Sequence, residues 1–224
     1  MKKKILVIAA HPDDETLGCG GTISKFTKEG NLAKVVFLSD GVSSRDEKKN
    51  SQKKIKIRNN QALSACKILG IKKIIFYDYP DNALDTISLL KITKSIEKQI
   101  FEFKPNIIFT HNSDDLNIDH RIVSEATIIA TRFYKLKHEI LSYEVLSSTD
   151  LNFHKSANNF KPNYFVDIKN EIKKKIQALK KYNKEIRKFP HPRSEKGVKV
   201  LSNYRGMFAG LEYAEAFKLI KKIY

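Results

Sequence analysis

At 224 residues, with 41% hydrophobic and 30% charged positions, the chain has the size and composition of one soluble globular domain with a buried core. No apolar run approaches the roughly 18–20 residues that a membrane span needs. Cys19 and Cys66, without a Cys-x-x-Cys spacing, exclude a disulfide framework and argue against a cysteine-based zinc site. The formal charge of +17 is mostly lysine, with arginine only at positions 45, 58, 121, 132, 187, 193 and 205. Lysines coat nearly every expected helix, as in Lys173-Lys174-Lys175. Solvated helix faces account for the charge, and no nucleic-acid partner is expected. Met1–Lys4 ahead of Ile5–Ala10 imitates the start of a signal peptide. An acidic cluster follows in place of a small-residue cleavage site, so a cytoplasmic protein is expected.

In chain order, Lys4–Ala10 reads as a strand, Thr16–Glu29 as a helix stopped by Gly30, and Ala33–Ser39 as a second strand. The polar stretch Asp40–Ser51 leads to a helix over Gln52–Leu69, stopped by Gly70. Lys73–Tyr77 is a third strand, Ser88–Phe103 a third helix, and Asn106–Thr110 a fourth strand. A helix over Asp119–Leu136 and a strand over Glu139–Leu146 follow. This alternation predicts an α/β, Rossmann-like, doubly wound and mostly parallel sheet with helices on both faces. After Leu146 the rhythm changes. Ser147–Pro162 is polar and irregular, Tyr164–Asp167 reads as a short edge strand, and Ile168–Arg187 as a lysine-rich helix broken by Phe189-Pro-His-Pro-Arg193. Glu195–Ala209 and Tyr213–Ile223 read as further helices. One domain over 1–224 is expected, with a core over 1–146 and an extension over 147–224 that closes over the active edge.

The cluster His11-Pro12-Asp13-Asp14-Glu15 at the end of the first strand is the most informative feature. Carboxylates ordinarily occupy solvated faces, so three of them with an imidazole at the tip of a core strand point to a metal and an acid/base. In open α/β sheets ligands bind beyond the carboxyl ends of the strands, where the strand order reverses. The fourth strand ends at Thr110-His111 and leads to Asn117-Ile-Asp119-His120-Arg121. In the common order 3-2-1-4-5 the first and fourth strands are neighbours, so both loops converge on one crevice. His11 and Asp14, three apart around Pro12, can meet on one ion, and His120 can supply a third ligand. Two imidazoles and one carboxylate leave zinc an open position for water. Asp13 then faces that water, whose pKa a metal lowers to about 7, as the proton acceptor. Each piece has a plainer reading: His-Pro and Asp-Asp pairs are common in solvated turns, Asp119 suits a helix N-cap, and His120 a surface position. The joint placement at adjacent strand ends favours the metal.

Ala10-His-Pro-Asp-Asp-Glu15 with Gly20-Gly-Thr22, then Asp119-His120-Arg121, resembles the PIG-L/LmbE-like zinc-dependent N-deacetylases. Leu38-Ser-Asp-Gly41, Arg58, Asp81-Asn82, Pro190-His-Pro-Arg-Ser194, Tyr204-Arg-Gly206 and Ala214-Glu-Ala-Phe217 extend the resemblance over nearly the whole chain. It implies Zn2+ held by His11, Asp14 and His120, Asp13 as general base, and Arg58 against the substrate. It also implies removal of an N-acetyl group from an amino sugar or glycoconjugate in saccharide biosynthesis. Relatives commonly assemble as homo-oligomers.

Two departures qualify the resemblance. Many relatives carry a histidine where Asn117 stands; an asparagine amide can donate to an oxyanion but carries neither charge nor a labile proton. Either Asn117 suffices beside the metal, or His111 or His191 enters the site; for His191, between two prolines, a rigid turn is the competing account. Gln61 stands where relatives often have a glutamate. Arg58 and Arg193 are candidates to grip a phosphate or sugar hydroxyls, surface ion pairing being the plain alternative. Asp119 is read as orienting a metal-ligating histidine, with helix capping as its rival. Gly20-Gly21 lacks the G-x-G-x-x-G spacing, which excludes a dinucleotide. Specificity is expected from the loops Ser43–Lys54 and Ser147–Pro162. Other functions in keeping with these residues are zinc-dependent cleavage of another amide, such as a cysteinyl-sugar or lipid-linked glycan, and a non-catalytic basic module for anionic glycan or nucleic acid.

Overall fold

A computed structural model describes residues 2–44, 51–132, 137–153 and 160–223. The chain runs β1 (Lys4–Ala9), α1 (Asp14–Lys28), β2 (Leu32–Ser39), α2 (Ser51–Leu69), β3 (Lys73–Tyr79), α3 (Leu89–Phe103) and β4 (Ile107–His111). It continues through α4 (Ile118–Ala130), β5 (Glu139–Tyr143), β6 (Tyr164–Asp167), α5 (Ile172–Leu179), α6 (Glu195–Met207) and β7 (Ala214–Lys221). The strands form one seven-stranded sheet in the order β3-β2-β1-β4-β5-β7-β6. Strands β1 to β5 pair in parallel, as the alternation predicts, and β7 runs antiparallel to both β5 and β6.

Alternation along β1 divides the core in two. Ile5, Val7 and Ala9 face Leu17, Ile23, Ala62 and Ile176 on one side of the sheet. Leu6, Ile8 and Ala10 face Ile92, Ile96, Val123 and Ala126 on the other. A strand buried on both faces is the mark of a doubly wound parallel sheet. Helix α1 lies so close to β5 that a Cβ on Gly18 would stand 2.2 Å from the Tyr143 ring, which is why its first turns carry glycine.

Several sequence expectations are corrected here. Tyr213–Ile223 is not helical: Ala214–Lys221 is the strand β7. Helix formers such as Ala, Glu, Leu and Lys lose to the tertiary setting, because β7 completes the ladder between β5 and β6 and lays Phe217 against Phe109, with ring centroids 5.0 Å apart. The expected helix over Ile168–Arg187 holds only for Ile172–Leu179; beyond it the chain leaves the helix, and Tyr182 and Glu185 are buried. Helix α4 stops at Ala130, and strand β5 at Tyr143. Residues 133–136, expected as the end of that helix, lie outside the described residues, as do 45–50 and 154–159 of the two loops expected to set specificity.

Candidate metal centre and active site

The ends of β1, β4 and β3 build the site. After β1, the chain turns around Pro12: the Asp14 amide donates to the His11 carbonyl at 3.3 Å, and the His11 amide donates back to Asp14 Oδ2 at 2.8 Å. Asp13 takes φ 120° in this turn, a left-handed conformation that a non-glycine residue holds only under constraint. After β4, Asn117 caps α4 by accepting the Asp119 amide at 2.8 Å, which sets His120 in the first helical turn. After β3, the amides of Asn82 and Leu84 donate to the Asp119 carboxylate at 2.8 and 3.0 Å. Asp119 therefore serves as an acceptor between two loops, and Asn117 does the capping.

The rings of His11 and His120 are each fixed by a carboxylate on one nitrogen. His11 Nε2 lies 3.0 Å from Asp119 Oδ2 and 3.1 Å from Asp81 Oδ1, which leaves Nδ1 facing inward. His120 Nδ1 lies 3.2 Å from Asp115 Oδ1, which leaves Nε2 facing inward. Asp115 is itself gripped by the hydroxyls of Ser148 and Thr149. The inward atoms His11 Nδ1, His120 Nε2 and Asp14 Oδ2 form a triangle 3.3 Å on each side. Around a tetrahedral ion with bonds of about 2.0–2.1 Å, neighbouring donors stand about 3.3–3.4 Å apart. The second oxygen of Asp14, Oδ1, is buried without a hydrogen-bond partner among the described residues. Donor types, spacing and the orphaned oxygen all fit a divalent metal, and the outer carboxylates match the usual way histidine ligands are oriented.

Electrostatics agree. Burial disfavours charge on His11, yet Asp119, Asp14 and Asp81 outweigh it and hold the ring well above the usual imidazole value. His120, also opposed by burial, is raised to about 9 by Asp14 and Asp115. The cluster thus favours positive charge at this point.

Asp13 stands beside the triangle, 1% exposed. Its Oδ2 is 3.1 Å from the guanidinium of Arg193 and 3.3 Å from that of Arg58. Burial raises its carboxyl above the usual carboxylate value, and the two arginines pull the other way. Glu185 pairs with Arg58 at 2.9 Å, and the Arg58 guanidinium lies 5.2 Å from the centre of the Tyr182 ring. Arg193 is anchored by its Nε donating to Ser147 Oγ at 2.7 Å and to the Leu146 carbonyl at 3.2 Å. Tyr182 donates to Glu15 at 2.7 Å, and burial lifts the Glu15 carboxyl to about 7.

These residues open on a polar cleft of about 110 Å³ lined by His11, Asp13, Arg58, Asn117, His120 and Arg193, among others. Of the candidates read from the sequence, these six are brought together there, with Asp14 and Asp119 directly behind. His191 is not: it is exposed, lies outside the cleft lining, and accepts the Arg193 amide at Nδ1 (3.0 Å). His111 is fully buried behind His120, its ring stacked at 4.0 Å and its Nε2 taken up by the Ala10 amide (2.9 Å). Asp81, Asp115 and Glu185 escaped the sequence reading as site residues. Asp115 is a carboxylate in a polar loop, and Glu185 a carboxylate in a lysine run, both indistinguishable in sequence from solvated charges.

Residues 6–131 match the family model described as PIG-L: GlcNAc-PI de-N-acetylase. The chain is 27% identical to the diacetylchitobiose deacetylase of Thermococcus kodakarensis, over 99% of this chain and 85% of that one. It is 31% identical to an uncharacterized deacetylase, YaiS, of Escherichia coli, over 81% of this chain and 91% of that one. In fold it resembles the N,N'-diacetylchitobiose deacetylase of Pyrococcus horikoshii, solved with an inhibitor, at a TM-score of 0.81 and 24% identity, covering 97% of this chain and 84% of that one.

Proposed function

Because the chain belongs to the PIG-L (GlcNAc-PI de-N-acetylase) family, we propose that it is a metal-dependent N-deacetylase that frees the amine of an N-acetylated amino sugar or glycoconjugate. The observation that carries the reading is the 3.3 Å triangle of His11 Nδ1, His120 Nε2 and Asp14 Oδ2 at the base of a cleft that also holds Asp13. These three residues would hold Zn2+. When bound, the ion supplies Lewis acidity toward water and toward the acetamide carbonyl.

The side chains around it do the rest. Asp13, its Oδ2 held by Arg193 and Arg58, takes a proton from the attacking water at Oδ1 and returns it to the leaving nitrogen, so one carboxylate acts as base and then acid. Asn117 Nδ2 donates one N–H to Asn82 Oδ1 at 2.9 Å, and its second N–H is the donor for the carbonyl oxygen as charge develops there. Asp119 and Asp115 keep the rings of His11 and His120 turned inward. Arg58 and Arg193 border the sugar, and their first task is to fix Asp13. Two unpaired, buried cysteines support a cytoplasmic site of action.

The test is acetate release from N-acetylated amino sugars by zinc-loaded protein, with chelated protein and Asp13→Asn as controls. Release that both controls abolish supports the reading. Release that survives chelation refutes the metal, and full turnover by Asp13→Asn refutes the base.

A further inference from the structure

Asp13 stands at the N-cap of α1, the position from which an aspartate side chain ordinarily accepts an amide of the first helical turn. Here its side chain makes no such bond. The backbone, at φ 120° and ψ −26°, turns the carboxylate away from the helix and toward Arg193 and Arg58 at the cleft. The main chain alone does the capping: the Asp13 carbonyl accepts the Thr16 and Leu17 amides at 3.0 and 2.9 Å. An N-cap residue usually has extended backbone, which aims its side chain at the helix amides. The unusual φ therefore frees the Asp13 carboxylate for chemistry.

Glu15 holds that conformation. It is fully buried behind the cleft, and its Oε2 accepts the Asp13 amide at 3.0 Å. Its Oε1 accepts the hydroxyls of Thr16 and Tyr182 at 2.5 and 2.7 Å. In a capping box, a glutamate or glutamine at the third helical position reaches back to the N-cap amide while the N-cap side chain reaches forward. Glu15 reaches back from the second position, so the glutamate half of the box is kept and the forward half is given up. Tyr182 comes from the C-terminal extension, and its ring also lies 5.2 Å from the Arg58 guanidinium. Asp13 is thereby gripped at two points, its amide by Glu15 and its Oδ2 by the two arginines. An acid in the first turn of a helix also suits the helix dipole, but that role would bear on stability alone.

We propose that Glu15 is a positioning residue for the base: its carboxylate, braced by Thr16 and Tyr182, fixes the Asp13 backbone in the conformation that points the Asp13 side chain into the cleft. The inference rests on the deacetylase reading and on Asp13 as its base. Glu15 lies outside the cleft lining and acts through Asp13.

The test measures kcat, KM and zinc content for Glu15→Gln, Glu15→Met and Tyr182→Phe against zinc-loaded wild type. Glutamine keeps an oxygen for the Asp13 amide and can turn its NH2 to the two hydroxyls, so kcat should stay within about threefold of wild type. Methionine keeps the volume and removes the acceptor. There kcat should fall about 10–10²-fold, as for a misplaced catalytic group, with KM and zinc content little changed. Tyr182→Phe leaves the Asp13 amide on Glu15, so it should lower the thermal midpoint and keep kcat within about threefold. In an Asp13→Asn background the methionine change should cost less than about threefold more, because the base it positions is already gone. Wild-type kcat in Glu15→Met overturns the proposal, as does an undiminished further loss on Asp13→Asn or a loss confined to KM or zinc. If Glu15→Met fails to fold, the backbone amide proton of Asp13 decides. Its resonance should lie downfield in wild type, bonded to a carboxylate, and move upfield in Glu15→Gln, whose neutral oxygen is the weaker acceptor. An unmoved resonance overturns the proposal. If wild type releases no acetate, the deacetylase reading has failed, and the same resonance judges the hold of Glu15 on Asp13 by itself.

Discussion

Helix α1 touches two buried polar clusters built to opposite rules. At its kink, where Cys19 leaves helical geometry (φ −142°, ψ 17°), the ladder is interrupted. The amides of Gly21 and Thr22 donate instead to Glu215 at 2.8 and 2.6 Å. Lys175 donates to the Leu17 carbonyl at 2.8 Å and pairs with Glu215 at 2.5 Å. The backbone amides freed at the kink and the Lys175–Glu215 charges answer one another inside the protein. At the N-terminal end of the same helix the accounts stay open: Asp14 Oδ1 has no hydrogen-bond partner among the described residues, ring nitrogens of His11, His120 and His111 stand 3.3–3.4 Å from its Oδ2, and Asp13 sits at φ 120°. A closed cluster holds a helix in place. An open one keeps charge and strain that a ligand resolves, and that distinction separates scaffold from site although both are buried and ionic.

The contrast can be broken from either end. The largest effect is expected of Asp13→Asn, which should cut kcat by about 10²–10⁴ while zinc content and thermal midpoint stay near wild type; metal analysis and a melting curve alongside the rate check it. Glu215→Ala should do the reverse. It leaves Lys175 buried without its counter-charge and two helix amides without an acceptor, for a loss of about 3–5 kcal/mol, with activity per folded molecule retained. Chemical denaturation measures this, and Glu215→Gln, which keeps an acceptor, should lose less. A variant at Glu215 that melts normally but has lost turnover would merge the two clusters.

Smaller changes sharpen the boundary. Asn117→Ser keeps a capping oxygen for the Asp119 amide and removes the amide donor, so kcat should fall by up to about 10²-fold with KM little changed. An unaltered kcat would remove Asn117 from the chemistry. Tyr182→Phe deletes the hydrogen bond to Glu15 and should cost about 1–2 kcal/mol of stability. A drop in rate beyond that loss would place Glu15 with the open cluster.

Much of the site was legible because it is local. His11, Asp13 and Asp14 lie in one turn after a strand, and Asn117, Asp119 and His120 in one capped helix start; strand order alone predicts that these two turns meet. The capping rival for Asp119 falls away in three dimensions, where Asn117 takes the cap and Asp119 reaches His11. His191 lies outside the cleft lining: the turn that holds it spends its Nδ1 on the Arg193 amide and brings Arg193, its neighbour but one, into the cleft.

What the sequence determined by itself is the periodic part: apolar runs of strand length, amphipathic helices stopped by glycine, and metal-ligand residue types at strand ends. Side-chain period and backbone hydrogen bonding are properties of neighbours along the chain, so they can be read from it. Tertiary structure decided the rest. It made a strand of the helix-forming segment Ala214–Lys221 because β5 and β6 needed a ladder partner. It turned Glu185 inward from a lysine run because Arg58 needed a counter-charge. It placed Asp81 and Asp115 behind the histidine rings because a buried imidazole needs an oriented acceptor. Each of these is a contact between residues far apart in sequence, and neither propensity nor spacing encodes which distant partner a buried charge or an open strand edge will meet.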